Sequence, residues 1–230
     1  MMKNIFVAMV FGALFGGLLA GCAKFEILPQ NITLYSKGVK IIQSQKQDSK
    51  VQLEIAQRDT LDDLLVFYVS AQLNSPKAIL FSTDNVRASF DNQALKIYTY
   101  KEIAESDYNF IDILQDYNIP TPTPSAGSSM AYNIAPFYYY AYPGFMYFSP
   151  MLSPFYINNS QDIAFRQEKR GALKVLLMNY LRESTLSHET SAQGGFVAIS
   201  KKQIKKDGLL KLEVQINHDI HTFAIDMKSF

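Results

Sequence analysis

Cysteine occurs once in these 230 residues, at position 22, and tryptophan does not occur at all. A lone thiol excludes any disulfide within the chain, so packing and hydrogen bonds alone must hold the fold together. Charge is balanced: 22 Lys and Arg face 21 Asp and Glu, with no long basic run. A near-neutral chain of this kind lacks the electrostatic footprint of a nucleic-acid binder.

Catalytic constellations are missing as well. Ser187 and His188 adjoin, but no Gly-x-Ser-x-Gly elbow surrounds any serine. His188-Glu189 lacks the second histidine of a helical zinc-protease motif. Gly194-Gly195 is too short for a phosphate cradle and has no helix after it. In His218-Asp219-Ile220-His221 two imidazoles stand three positions apart. On a strand that spacing sends them to opposite faces, and no third ligand is evident, so surface or turn histidines are expected. Asp62-Asp63 reads either as a carboxylate pair for acid–base work or, more in keeping with such pairs, as a solvated strand entry. Lys201-Lys202 with Lys205-Lys206 reads as a small basic patch, either a solvated loop or a surface for anionic headgroups or glycan. The expectation is a non-enzymatic protein with no cofactor and no metal.

What is present begins at the amino end. Lys3 precedes an apolar run from Ile5 to Ala20, and small residues close it. A cationic start, an apolar centre and small residues at the end make a secretory signal. The run is too short, and with Gly12, Gly16 and Gly17 too glycine-rich, to span a membrane comfortably. It ends in Leu19-Ala20-Gly21-Cys22, which resembles the lipobox of bacterial lipoproteins. That resemblance implies a signal peptide over 1–21, cleavage before Cys22, and diacylglycerol on its thiol with a further acyl group, such as palmitate, on the new amine. Two or three such chains hold a soluble domain on a bilayer almost permanently, at about 0.8 kcal/mol per buried methylene. Ala23 in place of Asp, by resemblance to enterobacterial sorting, implies the outer membrane, with the face left open. Cleavage removes Lys3 and leaves 21 basic against 21 acidic residues.

Residues 22–30 then read as a lipidated tether, and 31–116 as the first part of a β-sandwich. Alternation marks Ile32 to Tyr35 and Val51 to Ile55, while the continuous apolar run Leu64 to Val69 suits a strand buried on both faces. Ala78 to Phe81, Val86 to Phe90 and Ala94 to Tyr98 follow, the last two joined as a hairpin through the polar turn Asp91-Asn92-Gln93. Tyr100 to Tyr117 is open between loop and a short helix carrying Ile103, Phe110, Ile111 and Leu114. From 162 to about 183 an amphipathic helix is expected, weakened by Gly171. Three strands, Gly195 to Ser200, Leu209 to Ile216 and Ile220 to Met227, complete the sandwich within 162–230.

Between the halves lies 117–161, which contains no charged residue, seven of the nine prolines and eleven aromatics over 132–156. Its first part, Pro120 to Ser125, favours polyproline II or disorder. The aromatic part would make a poor solvated loop, and two readings stand open. Either it marks an interface, with Tyr138, Tyr139, Tyr140, Tyr142, Phe145, Tyr147 and Phe148 meeting a partner, or it folds back and completes its own core.

The whole arrangement resembles a group of uncharacterised bacterial envelope lipoproteins. The resemblance is carried by Phe81 to Val86, Leu95 to Glu102, Leu181 to Leu186, Gly194 to Val197, Leu212 to Ile216 and His221 to Ile225, and it covers most of 50–226. It implies an immunoglobulin-like sandwich split by a low-complexity insertion, and it implies no activity. Where such relatives often have Pro-Gly, this chain has Ser187 to Gln193. The expected function is therefore a lipid-anchored scaffold or interaction module that engages an envelope protein through the aromatic insertion. The alternative is a glycan- or peptidoglycan-binding, adhesive module whose tyrosines stack on sugar rings. A weaker third idea is a loop that dips into the bilayer beside the anchor.

Overall fold

Period-two burial runs through the strands on one side of the molecule, and near-continuous burial through those on the other. The computed structural model describes residues 25–56, 64–121, 134–142, 145–152 and 161–229, with 134–142, 145–152 and 161–167 as backbone only. Cys22 and Asp62-Asp63 lie outside the described residues.

The alternating strands are β1 (Phe25–Pro29), β7 (Val86–Phe90), β13 (Gly208–Ile216) and β14 (Asp219–Ser229). With β8 (Gln93–Leu95) they form an antiparallel sheet in the order β1-β14-β13-β7-β8. The second sheet runs β12-β5-β4-β3-β2, from β12 (Gln193–Ser200), β5 (Leu64–Leu73), β4 (Ser49–Ile55), β3 (Val39–Gln45) and β2 (Leu34–Ser36). A short pair, β6 (Ile79–Phe81) with β11 (Ser184–Leu186), is hydrogen-bonded to neither sheet but buries Phe81 and Leu186 in the core between them.

Phe25, Ile27, Leu53, Phe67, Val69, Leu212, Val214, Phe223 and Ile225 fill the space between the two sheets. On the far face of the second sheet Val66, Tyr68, Phe196 and Ala198 pack under helices. Those are α1 (Tyr100–Ala104), α2 (Ile111–Asp116) and α3 (Gln161–Met178). β5 is thus covered on both faces, as its apolar run implies. Two hydrogen-bond sets fix how the sheets align. Lys40 Nζ donates to Ile27 O at 2.8 Å near one end, and His221 meets Ser44 and Ser49 near the other.

The chain is mainly β, and its sheets pack as a sandwich. Within that architecture β2 to β5 form a four-strand meander in one sheet. This differs from the ABED and CFG division of an immunoglobulin constant domain, which parts neighbouring strands between sheets. The expected hairpin is present: Asp91 and Asn92 both have positive φ, the backbone of a two-residue turn matched to strand twist.

Several expectations change. Residues 25–29, read as tether, are a strand, because Phe25 and Ile27 bury against the other sheet while β1 pairs along β14. Tyr100 to Tyr117 holds two short helices, the first closed by a capping box between Thr99 and Glu102. The later helix ends at Met178, where the chain turns and Tyr180 bridges to Phe196. Gly194-Gly195 belongs to β12: a Cβ on Gly195 would run into the backbone of Tyr180 and Leu181. β3 had no expected counterpart, and the aromatic insertion contains a hairpin.

Candidate functional site

That hairpin is β9 (Ile134–Tyr142) with β10 (Phe145–Leu152), an antiparallel pair hydrogen-bonded to neither large sheet. Its register sets Tyr138 opposite Phe148, Tyr139 opposite Tyr147, Tyr140 opposite Met146 and Tyr142 opposite Phe145, with an irregularity between Phe145 and Met146. Because strand positions alternate between faces, Tyr138, Tyr140 and Phe148 share one face with Met146. Tyr139 and Tyr147 share the other, with Phe137 and Ser149. The seven residues expected to meet a partner thus fall on one hairpin but not on one surface, and both faces carry aromatic positions.

Pro136 stands directly opposite Pro150. A directly opposed pair either exchanges two N–H···O bonds or points its backbone groups outward, and proline has no N–H to exchange. Both outer edges therefore miss a donor at the same level, which obstructs the addition of a further strand to either edge. The faces are left as the surfaces through which the hairpin can bind.

The root of the insertion is built into the fold. Tyr117 is buried, packs edge-on against Phe196 at 5.0 Å, and donates its hydroxyl to Glu54 O at 2.9 Å and Val66 O at 3.2 Å. Ile119 is buried as well, and Asn118 Nδ2 donates to Lys37 O at 3.1 Å. The insertion read from sequence as starting at 117 therefore leaves the core only after Ile119.

The expectation of surface or turn histidines holds for His218 and fails for His221. His218 is exposed beside the β13–β14 turn, but His221 is fully buried. Its Nε2 lies 2.8 Å from Ser49 Oγ and its Nδ1 2.9 Å from Ser44 Oγ, while Ser49 Oγ donates to Asp219 Oδ2 at 2.6 Å. Ser49's one hydroxyl proton goes to the carboxylate, so Nε2–H donates to Ser49 Oγ and Nδ1 accepts from Ser44. Burial holds the His221 imidazole below its ordinary pKa, and Ser49's hydroxyl holds the Asp219 carboxyl below its own. The group contains serine, histidine and aspartate, yet it is not a hydrolytic triad. Asp219 bonds Ser49 instead of orienting the imidazole, and both Ser49 and His221 are sealed from solvent. It fastens β14 to β3 and β4 across the sandwich.

Sequence parity carried the signal that was missed. His221 has the same parity as Phe223, Ile225 and Met227, all buried.

Two surface grooves are lined by described residues. One of about 390 Å³ lies where β8 parts from β7, lined by Asp84, Arg87, Tyr98 and Thr99 among others. The other, about 540 Å³, lies between α3 and the segment after α1, where Lys169 meets Asp107 at 2.7 Å beside Tyr108 and Arg170. Neither joins a nucleophile to a base. His188 and Glu189 are neighbours at 3.9 Å on the surface. Of the four-lysine patch, Lys202, Lys205 and Lys206 are exposed and Lys201 is largely buried. Among the described residues, no group of three His, Cys, Asp or Glu is placed to hold a metal ion. Also among the described residues, no helix is long and apolar enough to cross a membrane.

Comparison with protein-family models, curated proteins and solved structures finds no match to this chain.

Proposed function

We propose that this chain is a non-enzymatic lipoprotein of the bacterial cell envelope, held on the outer membrane through acylated Cys22, whose sandwich presents the β9–β10 hairpin to a protein partner. The observation that carries this reading is a two-stranded sheet of eight or nine residues a side, uncharged and aromatic on both faces, joined to neither larger sheet. A lone two-stranded hairpin is marginally stable in water and needs a surface to pack against. Tyr is favoured where one side of a contact is apolar and the other wet. Attachment to a membrane raises the local concentration of such a module near its partner.

The test is crosslinking and affinity purification from cells, reading the hairpin one face at a time. Tyr138→Ala with Tyr140→Ala and Phe148→Ala strips one face, and Tyr139→Ala with Tyr147→Ala strips the other. Loss of one captured protein in one face variant, with abundance unchanged, is the expected result. Undiminished capture in both would reject the hairpin as the interface.

Glycan or peptidoglycan binding is the second reading, favoured by three consecutive tyrosines at 138–140. A sugar ring stacks on one face at a time, so the register predicts that Tyr139 contributes separately from Tyr138 and Tyr140. Pull-down with purified peptidoglycan separates this reading from a protein partner.

A further inference from the structure

Three features that stand far apart in the sequence come together at one end of the sandwich. The first is the start of β1, where Phe25 pairs with Ser229 only three residues after Cys22. The second is the loop from β12 to β13. Ile204 is buried beneath it, Lys202, Lys205 and Lys206 are exposed on it, and Asp207 accepts hydrogen bonds from Ser229 N and Oγ. The third is the root of the aromatic insertion, fixed by Asn118 to the turn at Lys37, just before the Lys40 that reaches β1. The turns at 46–48 and 217–218 are at the opposite end, about 30 Å away along nine-residue β13.

Three residue steps separate Cys22 from Phe25, and three steps of extended chain reach at most about 11 Å. A lipid on Cys22 therefore brings the end that bears Phe25 down to the headgroups. We propose that this end is a membrane-docking face, with Lys202, Lys205 and Lys206 set against the phosphates of anionic lipid headgroups. The inference rests on the acylation of Cys22 proposed above. Among the described residues, acidic groups reach the same end through Glu26, Asp91 and Asp207: Asp91 accepts from Leu209 N and pairs with Lys206 at 3.5 Å, and Asp207 holds Ser229. Residues 57–63, which carry Asp59, Asp62 and Asp63, lie outside the described residues. The attraction is thus assigned to the lysine loop and not to the end as a whole. Among the described residues, Lys202 and Lys205 are its unshared charges, and Lys206 is divided between Asp91 and the headgroups. Long lysine stems suit such a surface, since the ammonium can meet phosphate while the backbone stays in the fold. The insertion leaves the fold close by, so its root is held at headgroup level.

The experiment uses the full acylated protein in vesicles of phosphatidylcholine with or without phosphatidylglycerol. Cys22 is the sole cysteine and acylation consumes its thiol, so Gln203→Cys and Asn74→Cys can each be labelled alone. Quenching of a fluorophore by headgroup nitroxides should be at least threefold greater at 203 than at 74. In phosphatidylglycerol vesicles, Lys202→Glu with Lys205→Glu and Lys206→Glu should lower quenching at 203 by half or more, and the corresponding glutamine triple by a smaller amount. Equal quenching at 203 and 74 on vesicle-bound, acylated protein overturns the docking face and leaves the anchor standing. Unchanged quenching in both lysine variants overturns the headgroup contact. A mass showing unmodified Cys22 overturns the anchor and this inference together.

Discussion

His221 shows how one side chain ties stability to pH. Its surroundings oppose a charge, so the unfolded chain takes up a proton near the ordinary value of 6.5 while the folded chain takes it up only at lower pH. Stability is therefore complete above about 6.5 and falls as pH drops through that value toward the folded pKa. Asp219 adds a second loss further down, beginning near its ordinary 3.8 and complete below its depressed folded value. Urea midpoints from pH 8 to 5 should show the first slope. His221→Leu should remove that slope and cost about 1–3 kcal/mol at pH 8, because Ser44 loses its acceptor on the ring and Ser49 keeps only its bond to Asp219. A slope that survives in the variant would assign it elsewhere. Tyr180 makes a related case without titration in this range, since burial pushes its hydroxyl up to about 12. That hydroxyl donates to Tyr98 O at 2.5 Å and accepts from Ala198 N at 3.2 Å. Tyr180→Phe keeps the ring and strands both backbone groups, so a loss of about 1–3 kcal/mol is expected in thermal or urea unfolding.

At the scale of elements, the sequence was legible wherever one pattern ran uninterrupted. The apolar run of β5 announced its double burial, and Asp91-Asn92 announced the tight turn between β7 and β8. β3 was obscured because Ile41 and Ile42 are adjacent and both buried, one under the helices and one between the sheets, which breaks simple alternation. β1 was obscured by its position: five residues just after a cysteine expected to carry lipid read as a spacer, and only their pairing with β14 reveals a strand. The two assignments predict different costs. In a tether, Phe25→Ala would be silent; in β1 it removes a fully packed ring and should cost about 3–5 kcal/mol. The glycines of β12 behave similarly. Gly195→Ala would push a methyl into the backbone of Tyr180 and Leu181, which cannot swing aside as a side chain can. Its expected cost is at least the roughly 1–3 kcal/mol of ordinary overpacking, read as a lowered melting temperature.

For the whole molecule, the decisive question is where the sandwich stops and the insertion begins. Composition set that boundary at 117, where charge ends, but charge is a surface property and Tyr117 is in the core. Its ring rests on Phe196 and its hydroxyl closes on the carbonyls of two adjacent strands. Ile119 follows it into the same cluster, and from Ala172 onward α3 covers the other part of that face. Two deletions therefore separate the roles that the aromatic stretch was thought to share. Replacing 122–160 with a flexible linker leaves Tyr117, Ile119 and the inward side of α3 in place. It should keep the unfolding midpoint of the sandwich within a few degrees while abolishing partner capture. Extending the same deletion back to 117 removes a buried tyrosine and a buried isoleucine, and each large core truncation costs about 2–5 kcal/mol. That second protein should unfold at a clearly lower temperature and lose its partner for a trivial reason. If the shorter deletion is destabilised as badly as the longer one, the hairpin is a part of the core in its own right. The aromatic faces would then be turned toward the sandwich, and the partner would have to be sought on the exposed side of the β1-β14-β13-β7-β8 sheet.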